Sequence, residues 1–164
     1  MEGVGAMYLL GTDEYIKYVV KQYSQILLRI AFIRLKSTAD AEDTVQEVFL
    51  RLIKKRPQFR DEEHEKAWLI RATINLSCDM LKSSVRKNVQ LDEEIMSPQD
   101  ESAQLLSTVQ SLPAKYSTVI HLHYYEGYSI KEIARILALP AATVGTRLSR
   151  ARALLKPILE KEEL

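Results

Sequence analysis

GYSIKEIARILALPAATVGTRLSRARALLK, running from Gly127 to Lys156, is the stretch around which the rest of the chain is read. Ser129 and Glu132 stand at the S-x-x-E spacing of a capping box, so a helix is predicted from Ile130. Gly127 is placed to end the helix before it. Ile130, Ile133, Ala134 and Leu137 recur at helical spacing along one face. Leu139 and Pro140 break the pattern, and Pro140 suits the first turn of a second helix, where its missing N–H costs nothing. Val144, Leu148, Ala151 and Leu155 form the apolar stripe of that second helix. Two short helices joined by a tight turn are the outcome, a helix-turn-helix.

At about 100° per residue, the face opposite the second stripe carries Ala142, Thr143, Thr146, Ser149, Arg150 and Ala153, with Arg147 and Arg152 on its flanks. This face is small, polar and basic. Pro140 to Pro157 holds four basic residues and no acidic one, which suits a helix lying against phosphates and base edges. A solvated face in an ordinary helical bundle is the alternative. The capping box together with the acid-free second helix favours DNA contact.

The 164 residues suffice for one medium domain or two small ones. Net charge is +1, so any nucleic-acid signal must be local. The single Cys78 excludes an internal disulfide and fits a reducing cytoplasm. No apolar run approaches the roughly 20 residues of a membrane span, and the acidic, glycine-containing N-terminus does not read as a signal peptide. Few β-branched alternating runs are available for strands, so the expected fold class is all-α. His121 and His123 are two apart and cannot share a helix face, which argues against a metal site. With no phosphate-cradling, zinc-binding or nucleophile-elbow motif, no catalytic residue, cofactor or small-molecule substrate is expected.

Residues Met1 to Gly11 read as a frayed lead. Thr12 or Asp13 can cap a helix reaching about Leu35, with Ile16, Val20, Tyr23, Leu27 and Ile30 facing inward. Thr38 or Asp40 starts the next, whose apolar Val45, Val48, Phe49 and Leu52 leave Glu42, Asp43, Gln46 and Glu47 outward. Dipole matching in the first turn accounts for Asp40, Glu42 and Asp43. It does not reach Gln46 and Glu47, which continue the same face. That face is either simply solvated or aimed at a basic protein partner.

Lys54 to Asp61, KKRPQFRD, is a loop by composition, basic at its start and carrying Phe59. Asp61 is the expected N-cap of a helix running to about Ser83. Leu69, Ala72, Leu76 and Met80 make one apolar flank, and Ala67, Ile70, Ile74 and Leu81 the other. Between them lies a stripe of Trp68, Arg71, Asn75, Asp79 and Lys82. Such a groove on a helix buried at both flanks, beside Phe59 and followed by Arg86 and Lys87, suits unstacked bases and their backbone. Trp68 fits a core anchor equally well. Asn75 is a poor helix former in a helix interior, which favours a functional role.

Between Asn88 and Ala114 there is no basic residue, and Asp92, Glu93, Glu94, Asp100 and Glu101 mark an acidic linker between two small helical domains. Leu105, Leu106, Val109 and Leu112 then make one amphipathic helix. Pro113 opens another to about Tyr125, with Tyr116, Val119, Ile120, His123 and Tyr124 toward the core.

With these blocks in place, the chain resembles the extracytoplasmic-function group of sigma factors of bacterial RNA polymerase. DAEDTVQEVFLRL (Asp40–Leu52), AWLIRATIN (Ala67–Asn75), LPAKYSTVIHLHYYEGYSIKEIARIL (Leu112–Leu137) and ATVGTRLSRAR (Ala142–Arg152) carry the resemblance, in family order and at family spacing. It implies a region 2 domain over 12–87, a linker over 88–101 and a region 4 domain over 102–160. Asp43, Gln46 and Glu47 are then expected on the clamp helices of core RNA polymerase, whose flap is a further contact. Phe59, Arg71, Asn75, Asp79, Lys82 and Arg86 are expected at the −10 element, which opens and presents a flipped base of the non-template strand. Thr143, Thr146, Arg147, Ser149, Arg150 and Arg152 are expected to read the duplex −35 element. Gly145 departs from the family, standing where many relatives carry Lys or Arg. The resemblance also implies an anti-sigma factor, and a cytoplasmic protein that is nucleoid-associated when active or held at the membrane by that factor. The alternative is a stand-alone helix-turn-helix regulator of duplex DNA.

Overall fold

The computed structural model describes residues 12–87 and 107–162, and every element among them is helical. The chain divides into two compact units, Met1–Gln90 and Leu91–Leu164. The residues read as a frayed lead and as an acidic linker, with Leu105 and Leu106, lie outside the described residues.

The first unit is three helices: α1 (Thr12–Leu35), α2 (Thr38–Lys55) and α3 (Glu62–Lys87), each packed on the other two. Val19, Leu27 and Ile30 of α1, Val48 and Leu52 of α2, and Leu69 and Ile70 of α3 are fully buried where they meet. Burial of each such side chain contributes about 1.5–3 kcal/mol. Val20, expected inside, is exposed, and its neighbour Val19 takes the core position. Two adjacent valines cannot share a helix face, and only packing against the neighbouring helices decides between them.

α2 begins at Thr38, the earlier of the two expected starts, and Ser37 is its N-cap, its Oγ accepting from Asp40 N at 3.2 Å. The helix also runs two residues further than expected. Lys54 and Lys55 belong to its last turn, and Arg56 closes it in the left-handed conformation, φ 42°, donating its N–H to Leu52 O. Lysines there suit the negative helix end. Asp61 is the N-cap of α3, with Oδ1 accepting from His64 N at 2.7 Å. His64 Nδ1 accepts in return from Arg60 N at 3.2 Å.

The buried centre of α3 is partly polar, a feature its apolar flanks did not foretell. Thr73 and Ser77 are fully buried and donate to the carbonyls of Leu69 and Thr73, at 2.8 and 2.6 Å. Arg34 of α1, also buried, reaches Ser77 Oγ at 3.1 Å and Cys78 Sγ at 2.9 Å. Buried Glu65 accepts from the hydroxyls of Tyr15 at 2.5 Å and Tyr23 at 3.1 Å, tying the start of α3 to α1. Desolvation is tolerated because these groups are hydrogen-bonded.

In the second unit a helical turn at 107–110 precedes α4 (Ala114–Ile120), which continues into a π-helical turn, His121–Tyr125. α5 (Ile130–Leu137) and α6 (Ala141–Glu162) follow. α6 packs on both α4 and α5, and Val119, Leu122, Ile133, Val144 and Leu148 fill the core. The π-turn corrects the face expected for Tyr124: widening to i→i+5 bonding turns Tyr124 and Tyr125 outward and buries His121 and Leu122. Gly127, at φ 79°, ends this segment as its position predicts.

Candidate nucleic-acid interface

α5 is closed by a cap at each end, and the second leads into the turn to α6. Ser129 Oγ accepts from Glu132 N at 3.1 Å, and Glu132 Oε2 accepts from Ser129 N at 3.3 Å, the reciprocal box read from S-x-x-E. α5 ends at Ala138, which takes the left-handed conformation, φ 55°. Alanine there carries a steric cost of about 1 kcal/mol that glycine would avoid. Pro140 precedes α6 instead of lying in its first turn: its carbonyl accepts from Thr143 N and Val144 N, at 3.0 and 3.2 Å.

Val144, Leu148, Ala151 and Leu155 anchor α6 in the core. Thr146, Ser149, Arg150 and Arg152 therefore emerge into solvent, and Thr143 and Arg147 lie half-buried at the margin. The six expected residues thus share one outward surface. Thr146 donates its hydroxyl hydrogen to Ala142 O at 2.9 Å, which leaves its lone pairs and methyl group for a partner. Arg152 is not a loose side chain: Nε donates to the Tyr124 hydroxyl. α6 does not stop at Pro157 but carries it internally.

The first unit presents two further surfaces. On α3, Arg71, Asn75, Asp79 and Lys82 are all exposed in one line, about 16 Å long at 1.5 Å per residue. Arg86 falls on the last turn of the same helix. Trp68 is half-buried at the head of the line. Phe59 departs from expectation. The residue is 9% exposed, its ring packed edge-on against His64 at 5.4 Å and Trp68 at 5.9 Å. In this conformation its ring braces His64 and Trp68 at the entry to α3 and does not stand open to an extruded base.

On α2, Glu42, Asp43, Gln46 and Glu47 are exposed together. Glu47 is partly engaged, accepting from Arg51 Nε at 3.4 Å. Beside them, α1 and α2 leave an open groove of about 470 Å³, lined by Val20, Leu28, Val45, Phe49, Leu50 and Ile53, with Glu42 and Gln46 at its rim. Leu50 is 51% exposed. Periodicity assigns Val20 to the core and so does not reveal this apolar strip; Leu50 and Ile53, both outside the inward set of α2, are its signal in the sequence.

No group of three or more His, Cys, Asp or Glu able to hold a metal ion occurs among the described residues. His121 Nε2 instead faces Glu126 Oε1 at 3.0 Å, and His123 Nδ1 faces Tyr128 O at 2.8 Å. No described helix is long and apolar enough to cross a membrane.

Residues 19–87 match the family model of sigma-70 region 2, and residues 102–155 match that of sigma-70 region 4. The chain is 31% identical over 151 residues to RNA polymerase sigma factor SigV of Bacillus subtilis, covering 88% of this chain and 91% of that protein. It is 29% identical over 168 residues to ECF RNA polymerase sigma factor SigW of the same organism, with 89% of each covered. In fold it is similar to the sigma factor RpoE solved with the anti-sigma factor NepR from Bartonella quintana, at a TM-score of 0.74, 23% identity and coverage of 88% and 96%. CnrH, solved with the cytosolic domain of CnrY, has a TM-score of 0.72 at 25% identity, with 95% and 94% covered.

Proposed function

The chain belongs to the sigma-70 family, as an extracytoplasmic-function sigma factor, and from that premise we propose that it joins core RNA polymerase, places it on −35 and −10 promoter elements and captures melted strand. The observation that carries this reading is the presence of both region matches in one chain, each coinciding with an exposed residue set of suitable chemistry. A stand-alone duplex-binding regulator has use for the α6 face but none for the Arg71–Lys82 line or the acidic α2 face.

The division of labour follows from charge and exposure. α6 offers Thr143, Thr146, Arg147, Ser149, Arg150 and Arg152 to duplex DNA without a carboxylate among them. Arg150, near the centre of the outward face, is placed for a base edge, and Arg152, at its margin, for a phosphate. Arg71, Asn75, Asp79 and Lys82, with Arg86 beyond them, combine cations with groups able to hydrogen-bond an exposed base edge. Phe59 serves that surface from below, through Trp68. Asp43, Gln46 and Glu47 dock on basic helices of the polymerase, and the neighbouring apolar groove adds desolvated area to a contact that charge alone would make weak. The polymerase flap is proposed as a second attachment and an anti-sigma factor as the regulator.

Unstacking DNA costs a few kcal/mol per step. Base capture and backbone contacts formed only in the open state offset it, and the polymerase performs the chemistry. This assigns the protein no reaction of its own. The test is promoter-dependent transcription reconstituted from purified chain and bacterial core polymerase. Specific transcripts are expected only with both present. Tight sequence-specific duplex binding by the chain alone, with no transcription, would establish the regulator instead.

A further inference from the structure

Arg152 is held before any DNA arrives. Its Nε donates to the Tyr124 hydroxyl at 2.5 Å, and its guanidinium carbon lies 5.4 Å from the centre of the Tyr124 ring. Tyr124 is itself steadied, its ring meeting the His123 imidazole edge-on at 4.8 Å, while His123 Nδ1 faces the carbonyl oxygen of Tyr128 at 2.8 Å. The π-helical turn produces this chain of contacts. Because His121–Tyr125 closes with i→i+5 bonds, Tyr124 is swung out of the core to 58% exposure and toward α6. A core-facing tyrosine could not reach the guanidinium.

The chemistry of the holder matters. A hydroxyl engages only Nε and carries no charge, so both terminal nitrogens and the full positive charge of Arg152 remain for an anion. A carboxylate in the same place would fix the side chain but neutralise it. The loss of side-chain entropy that an arginine normally incurs on meeting a phosphate is here largely met within the free protein.

The geometry points to Tyr124 as a positioning residue for −35 recognition, one that pre-orients Arg152 toward a backbone phosphate at the margin of the major groove. This rests on the reading of Arg152 as a DNA contact and adds a residue outside α6 to that surface.

The test is a double-substitution cycle on holoenzyme assembled from full-length chain and core polymerase, binding a −35-containing promoter duplex over a range of salt. Tyr124→Phe removes only the hydroxyl and is expected to weaken binding about fivefold, the worth of one hydrogen bond. Arg152→Ala should weaken it further and lower the salt slope by about 0.9, one phosphate contact. In the Arg152→Ala background, Tyr124→Phe should then have no effect, since residues acting through one contact are not additive. Equal loss from Tyr124→Phe in both backgrounds would overturn the positioning role. Normal binding by Tyr124→Phe beside a clear loss for Arg152→Ala would overturn it while leaving Arg152 a DNA contact. Normal binding and salt slope for Arg152→Ala would remove Arg152 from the interface and the proposal with it. Unchanged thermal unfolding of Tyr124→Phe separates these results from a folding defect.

Discussion

Gly145 faces open space on α6, with no atom within 4 Å of the point a Cβ would occupy. Gly145→Ala should therefore raise stability by about 1 kcal/mol through helix propensity alone, read as a higher unfolding midpoint. Gly145→Arg should also fold, and should tighten promoter binding with a steeper salt dependence if α6 lies in the groove as proposed. Phe59 and Asn75 separate structural from functional residues in the same way. Phe59 is buried, so Phe59→Ala should cost about 3 kcal/mol of stability. Asn75 is exposed, so Asn75→Ala should change stability by no more than about 0.5 kcal/mol yet reduce strand opening. Permanganate reactivity of thymines at the −10 element measures that opening, and a pre-melted bubble template should restore most of it, because unpairing has already been achieved.

The acidic character of α2 outlasts the turn in which dipole matching explains it, and the structure leaves Asp43, Gln46 and Glu47 solvent-facing. Joint substitution Asp43→Arg and Glu47→Arg should leave helix content intact, since it removes the exposed Arg51 contact of Glu47, worth at most about 0.5 kcal/mol. Affinity for core polymerase should fall at least tenfold, measured by fluorescence titration. Between α1 and α3, Tyr23 donates its hydroxyl hydrogen to Glu65. Burial first, and the Glu65 carboxylate second, hold the Tyr23 phenol well above its ordinary value. The unfolded chain ionises this phenol above about pH 10 while the folded chain keeps its proton. The contribution is thus complete below pH 10 and lost as pH rises beyond it. Denaturation midpoints of the protein should fall between pH 9 and 11.5, and Tyr23→Phe should flatten that decline while costing about 1 kcal/mol at neutral pH.

For the whole molecule, a net charge of +1 divided between two units leaves little long-range attraction for DNA. The isolated chain should bind promoter duplex only weakly at physiological salt, and core polymerase should raise that affinity by at least a hundredfold in an electrophoretic shift. What was legible without coordinates was whatever is local. Ser129 with Glu132, Gly127 and Asp61 act over three or four residues, so their caps could be read from spacing alone. The Val144–Leu155 stripe likewise placed Thr146, Ser149 and Arg150 outward by periodicity. The rest required contacts distant in sequence. Whether Val19 or Val20 enters the core depends on packing against the neighbouring helices. Phe59 is buried because His64 and Trp68 close over it. Tyr124 turns outward because the end of α4 opens into a π-turn, and Arg152, 28 residues along the chain, then meets it. Periodicity assigns a residue to a face; which face finds a partner is settled only when the helices close on one another, since burial free energy belongs to the pair and not to the sequence of either helix.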